Sequence, residues 1–277
     1  MNKEYDVLIV GGGLAGNCLA LALKNCGLKI AVIEAGSRQQ RKDSPAGDRA
    51  LALAGGTVRM LDALGVWEGV KRYAAPIEQI HVSDQGHFGK TRLSANKEGV
   101  DALGYVITAR EIEDHVSCAV EQRKIEQFCP ARVAGLISGA EEACINLKTD
   151  EGSLNLSAKL VVGADGGNSS VRRLLDIGQQ VTEYGQTAIV TTVKSEISHQ
   201  NTAYERFTSS GPLAMLPVKE SQIAVVWTRA HEDAELLLNC EESDFMEQLQ
   251  ECFGYRLGQL ILIAPRRSFP LSLIRAE

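Results

Sequence analysis

The order of elements at the start of the chain constrains its fold more than any other feature. Residues 5–10 (YDVLIV) are apolar, rich in β-branched side chains and run straight into glycine, which predicts a buried parallel strand. Gly11, Gly13 and Gly16 then stand on a G-x-G-x-x-G frame. Gly11 permits the tight turn, Gly13 lets the backbone approach a pyrophosphate, and Gly16 lets the following helix pack against the strand. Residues 14–26 (LAGNCLALALKNC) predict that helix, Gly27 its stop, and residues 28–34 (LKIAVIE) a second strand ending in Glu34. Glycine spacing alone is as compatible with a plain tight turn as with a nucleotide site. Strand, glycines, helix, stop, strand and terminal acid in this order point to a dinucleotide. Its diphosphate would sit at the helix N-terminus, where free N–H groups favour negative charge. Glu34 would accept from the adenosine ribose hydroxyls and repel a 2′-phosphate, favouring FAD or NAD over NADP in this site.

About 150 residues later a second motif repeats the theme. Residues 132–165 alternate as sheet (RVAGLIS, ACINLKT, SLNLSA, KLVVGAD), with a turn at Asp150–Glu151–Gly152. The last strand points Asp165, followed by Gly166 and Gly167, out of its carboxyl end. In open parallel sheets ligands bind at that edge, where Gly11 also belongs. A carboxylate followed by glycines can receive a ribose or flavin hydroxyl while the backbone stays close. Ser169 is placed to cap a short helix bearing Arg172 and Arg173. Taken alone, Asp-Gly-Gly-Asn reads as an ordinary turn; its pairing with the first motif favours a flavin.

Composition narrows the class. An apolar fraction of 44% and a charged fraction of 23% are those of a globular protein, and 277 residues suffice for one large or two ordinary domains. A net charge of -6 argues against nonspecific nucleic-acid binding. The seven cysteines are scattered without a C-x-x-C, which suits reduced thiols in a cytosolic compartment. Neither cysteines nor histidines cluster as metal ligands, so no metal is expected. No export signal is read at the N-terminus, and the apolar run LILIA at 260–264 is too short to span a bilayer.

The segments GGGLAGNCLALAL…VIEA, DRALALAGGTVRMLDALGVWE, GYVITAREIEDHV and LVVGADGGNSSVRR resemble, in that order, the flavin hydroxylases of the para-hydroxybenzoate hydroxylase fold. IHVSDQGHFGKTRLSA and YERFTSSGPLAMLP resemble its ubiquinone-biosynthesis branch, in particular the 2-octaprenyl-6-methoxyphenol hydroxylases. The resemblance implies that Gly11, Gly13 and Gly16 hold the FAD diphosphate and Glu34 the adenosine ribose. It further implies that Arg49 reaches the diphosphate, Arg110 stands near the flavin, Val133 offers its peptide to the adenine, and Asp165 and Gly166 touch FAD and the nicotinamide nucleotide. It assigns no catalytic side chain. The implied reaction is reduction of FAD by NAD(P)H, capture of dioxygen, and hydroxylation of a polyprenylated phenol through a flavin hydroperoxide. The implied partners are a membrane-resident substrate, a ubiquinone-biosynthesis complex and the face of the inner membrane, met peripherally from the cytoplasm.

The expected architecture is α/β: a Rossmann-like FAD-binding domain (1–75 and 100–177) interleaved with a smaller β-sheet-plus-helix substrate domain (76–99 and 178–277). A strand–turn–strand excursion at 76–93, strands from about 187, a helix over 243–253 started by Ser243 and a final strand run make up the second domain. The catalytic pocket belongs at the junction, with Arg206, Trp227 and His87 as weaker lining candidates. The family's second flavin signature, Gly-Asp or Gly-Asn followed by small residues and histidine, is not found between 178 and 277. The expectation is a C-terminally truncated chain, ending about where the last flavin-domain strand and helix should begin. Truncation leaves a noncatalytic dinucleotide-binding or scaffold module as the rival reading. A disulfide reductase is disfavoured because Cys18 and Cys26 fall on a predicted helix with seven residues between them. A simple NAD dehydrogenase leaves the Asp165 motif unexplained.

Overall fold

The computed structural model describes residues 3–277. Strand Lys3–Val10 lies inside a six-stranded sheet ordered Glu126–Phe128, Ile30–Ile33, Lys3–Val10, Gly152–Gly163, Ala143–Thr149, Ala131–Ser138. The first four strands run parallel, and the last two are added by antiparallel pairing. Alternation along the first strand sends Val7 and Ile9 to one face and Leu8 and Val10 to the other, all four buried. On the first face they meet Ala20 and Leu21 of helix Leu14–Leu23 and Ile112, Val116 and Val120 of helix Ala109–Gln122. Covering both faces is what allows the strand to read as an unbroken apolar run. The first helix ends at Leu23, three residues short of expectation, because Asn25 and Cys26 project into solvent with no apolar face left to bury. Gly27, at φ +73°, makes the turn.

A small antiparallel sheet, ordered Ala50–Ala54, Gly104–Thr108, Ala75–Ile77, adds Leu53 and Ile107 to the same core. The chain then crosses twice into an eight-stranded sheet. Its hub is strand Gln179–Ser195, which pairs with Gln222–Ala230, Leu260–Leu262 and Arg267–Ala276. Beyond Gln222–Ala230 come Leu213–Pro217, Thr202–Phe207, Gln79–Asp84 and Lys90–Ser94. Helices His231–Asn239 and Glu242–Phe253 bury one face, setting Leu237, Phe245, Leu249 and Phe253 against Ile189, Val193, Met215, Val225 and Trp227.

Two expectations shift here. The hub strand starts at Gln179, well before 187. Residues 179–185 are exposed and become strand only by pairing with 271–276 across a bulge between Glu183 and Gln186. Residues 267–276 therefore belong to the eight-stranded sheet. The helix expected from Ser243 begins at Glu242 with Glu241 as its cap residue, and Gly254, at φ +86°, ends it.

Candidate active site

Gly11 and Asp165 stand at the carboxyl ends of neighbouring parallel strands. Val10 is in register with Gly163, and the Ala164 N–H donates to the Val10 carbonyl at 2.6 Å. The loops touch through backbone. Gly11 has φ +110°, and a Cβ on it would collide with the Ala164 carbonyl. A Cβ on Gly16 would overlap the Gly11 carbonyl, so Gly16 supports the loop from beneath. Gly13 is different: its backbone is extended, and a Cβ there would meet no atom within 4 Å. As the residue before helix Leu14–Leu23 it offers no side-chain acceptor, leaving the first-turn N–H groups free. Two side chains outside the sequence-based set fix this loop. Asn17 Nδ2 donates to the Gly12 carbonyl at 2.7 Å and Arg41 Nη1 to the same oxygen at 2.9 Å. Asn17 is buried, and its Oδ1 has no partner.

Glu34 closes one wall. Its Oε2 accepts from the Gly12 N–H and its Oε1 from the Gly36 N–H, both at 2.6 Å. Each carboxylate oxygen keeps a further lone pair for a ligand hydroxyl. Asp165 faces inward to its own helix. Its Oδ1 accepts from Ser169 Oγ at 2.5 Å, and its Oδ2 from the Ser170 N–H at 2.6 Å and Ser170 Oγ at 2.7 Å. Burial pushes its pKa up, but these hydrogen bonds outweigh burial and hold it below the usual carboxylate range. Ser169 caps helix Ser170–Leu174 by accepting from the Arg172 N–H. The carboxylate thus tethers the turn, and Gly166, at φ +79° with open space around it, presents the backbone.

Between these loops lies a cleft of about 530 Å³. Gly11, Gly13, Glu34, Val133, Asp165 and Gly166 line it together, joined by Arg132, Asn168 and Arg173. Val133 arrives on the strand that follows Ala131, whose N–H donates to the Glu34 carbonyl at 2.7 Å. Arg110 stands apart, in the first turn of its helix. Its Nη2 donates to Asp48 at 2.7 Å and to the Ser44 carbonyl at 3.1 Å, and it borders a second hollow that also reaches Gly13. Arg49 lies further off, its guanidinium 5.3 Å from the Phe269 ring centroid. It lines a cavity of about 100 Å³ between segment 45–50 and Val190, Thr192 and Ala224 of the eight-stranded sheet. Asp48 ties the two sides by accepting from Arg110 and from Arg267 Nη2 at 2.9 Å. Those guanidinium partners, Arg110 foremost, hold Asp48 below the usual carboxylate range. Trp227 is buried in the core beneath the helices. Arg206 and His87 border a hollow sharing no residue with the cleft.

The residues present fit a dinucleotide: an uncapped helix N-terminus for a diphosphate, open space over Gly13, and an acid at the end of the second strand. Fold and cleft together define an α/β dinucleotide-binding protein. Residues 4–264 match the family model described as FAD binding domain, and the chain belongs to that family. An uncharacterized Synechocystis protein, slr1300, is 35% identical over 279 residues, covering 100% of this chain and 66% of its own length. The ubiquinone hydroxylase UbiL of Rhodospirillum rubrum is 33% identical over 282 residues, covering 100% of this chain and 64% of its own length. The 3-demethoxyubiquinol 3-hydroxylase of Escherichia coli is 28% identical over 273 residues, covering 98% and 69%. The chain thus spans slightly under two thirds of the first two relatives. Among solved structures, the p-nitrophenol 4-monooxygenase PnpA of Pseudomonas putida superposes at a TM-score of 0.76 and 17% identity, over 100% of this chain and 70% of its own. The flavin-dependent halogenase CmlS superposes at 0.78 and 17% identity, over 99% and 51%. These likenesses establish the fold.

Proposed function

We propose that the chain is the FAD-binding and ring-positioning part of a monooxygenase that hydroxylates a polyprenylated phenol in ubiquinone biosynthesis, using NAD(P)H and dioxygen. One observation carries the reading: two loops 150 residues apart in sequence meet at one sheet edge and wall a single cleft. The names of the Rhodospirillum and Escherichia relatives support the substrate class. In this reading Gly11, Gly13 and Gly16 admit the FAD diphosphate, with Glu34 on the adenosine ribose and Val133 on the adenine. Asp165 holds the turn that brings the Gly166 backbone to the cofactor. Arg49, at the sheet junction, serves the diphosphate, and Arg110, which borders the hollow that also reaches Gly13, serves the flavin end. When bound, FAD supplies the redox chemistry that moves one oxygen atom from dioxygen to the ring.

The remaining work falls to the chain. Residues 1–75 and 100–177 act as the cofactor domain, and residues 76–99 and 178–277 as the substrate domain. The Asp48 bridge to Arg110 and Arg267 holds the two together. The junction, where Val190, Ala224 and Phe269 stand beside Asp48, Arg49 and Arg267, orients the phenol. Among the described residues no helix is long and apolar enough to cross a membrane. A polyprenyl substrate is then reached by peripheral contact with the inner membrane from the cytoplasm, within an assembly of biosynthetic partners.

The test is purification with added FAD, followed by incubation with NAD(P)H, oxygen and a polyprenyl phenol. Bound flavin and a product heavier by one oxygen atom are expected. Bound flavin without oxygen consumption would favour the noncatalytic module, and a colourless protein would end the cofactor reading.

A further inference from the structure

The far edge of the eight-stranded sheet carries a cluster of cations that the proposed reaction does not use. Strands Thr202–Phe207, Gln79–Asp84 and Lys90–Ser94 lie side by side in a register that builds two rows on one face. Tyr204, His81 and Arg92 form one row; Arg206, Ser83 and Lys90 form the next. From the loop after helix Glu242–Phe253, Arg256 reaches over the same face, its guanidinium 5.8 Å from the Tyr204 ring centroid. Together they line an open hollow of about 830 Å³, with Phe88 at its rim.

The chain carries a net charge of -6, yet the cations of this face have no carboxylate partners among the described residues. Six lysine– or arginine–carboxylate pairs occur among the described residues, and none involves Lys90, Arg92, Arg206 or Arg256. The one carboxylate lining the hollow, Asp84, is paired with His87 at 2.8 Å. Burial and then the positive charge of Arg256, Arg92 and Lys90 push the His81 pKa down. Arg206 Nε and Ser83 Oγ are buried without a hydrogen-bond partner. The four cations are thus gathered on one face without a carboxylate partner among the described residues. Phe88 is fully exposed at the tip of the hairpin, between Gly86 and Gly89, both at positive φ.

We propose that this face is a second ligand site, which takes a phosphate-bearing molecule. Arg92, Arg206 and Arg256 donate to phosphate oxygens, Lys90 adds charge, and Phe88 meets the apolar portion of the ligand. The ligand chemistry is a phosphate ester, and its source is either the headgroup of an anionic phospholipid or a soluble ester. The site does not rest on the cofactor reading, because it shares no residue with the Gly11 cleft.

The test uses the full chain with two probes: vesicles of phosphatidylglycerol and phosphatidylcholine beside phosphatidylcholine alone, and inorganic pyrophosphate by calorimetry. Gly13→Val, which fills the space over the first helix, serves as the background and leaves binding at the cation cluster intact. Sedimentation with the anionic vesicles only, reduced about tenfold in Arg92→Glu/Arg256→Glu and also lowered in Phe88→Ser, identifies the lipid source. One-to-one pyrophosphate binding lost in the double variant, without sedimentation on vesicles, identifies the soluble source. The double variant is checked by melting, and Arg92→Glu alone, which leaves the Arg256 stacking on Tyr204 in place, is expected to lower binding in the same direction. Failure of both probes, or binding unchanged by the double variant, overturns the proposal.

Discussion

The six-stranded sheet ends in loops where backbone lies against backbone, whereas the eight-stranded sheet is held by large side chains under two helices. At the first, Gly11 leaves no room for a Cβ beside the Ala164 carbonyl, and Gly16 none beside the Gly11 carbonyl. At the second, Trp227, Phe245 and Phe253 are essentially fully buried. One region is therefore sensitive to added atoms and the other to removed ones. The contrast follows from what each region has to hold. A cofactor diphosphate is met by peptide N–H groups at close range, whereas a platform for a ring needs only to be stiff.

The contrast can be broken or sharpened by substitution. The largest effect is expected from Trp227→Ala, which should lower stability to urea unfolding by about 3–5 kcal/mol. Gly11→Ala should cost about 2–4 kcal/mol by the same measurement, from strain at positive φ and overpacking. If the added methyl cost nothing while the cavity cost much, the two regions would not differ as described. Asp165→Ala should cost about 1–3 kcal/mol, because it strands the Ser170 N–H and the hydroxyls of Ser169 and Ser170.

The same carboxylate has a pH signature. Its folded pKa lies below the unfolded value of about 3.9, so its stabilisation is complete above that pH and lost as pH falls through the folded value. The stability difference between the parent and Asp165→Asn should then shrink below about pH 4; a constant difference down to pH 2 would contradict this. The smallest effect is expected at the bridge between the regions. Asp48→Asn should cost under about 1 kcal/mol, and less in 0.5 M salt, because its pairs are partly exposed.

The same division explains what was legible in the sequence. The Gly11 loop, Glu34 and the Asp165 turn were readable because each occupies a short window in which glycine, acid and strand end have local meanings. Their meeting was inferable from the rule that ligands gather at the carboxyl ends of parallel strands. Arg41 was not readable, because a lone arginine has no local signature and its reach depends on how distant elements pack. Helix His231–Asn239 also went unread. Its sequence HEDAELLLN is about two and a half turns long and follows directly on strand Gln222–Ala230. The exposed start of the hub strand was hidden for a related reason: residues 179–185 become strand only because 271–276 lie beside them. Trp227 misled in the other direction, since an aromatic residue in a strand reads alike whether it faces a pocket or a core.

The central claim is that a dinucleotide lies across the Gly11 loop and the Asp165 turn. Its most direct test is an FAD titration of Gly13→Val beside the parent, followed by flavin fluorescence, with thermal melting as the control. A side chain at Gly13 meets no protein atom within 4 Å and its backbone is extended, so the variant should melt like the parent. The parent should bind FAD and the equally stable variant should not. Equal FAD binding by both, or none by the parent, would contradict the claim.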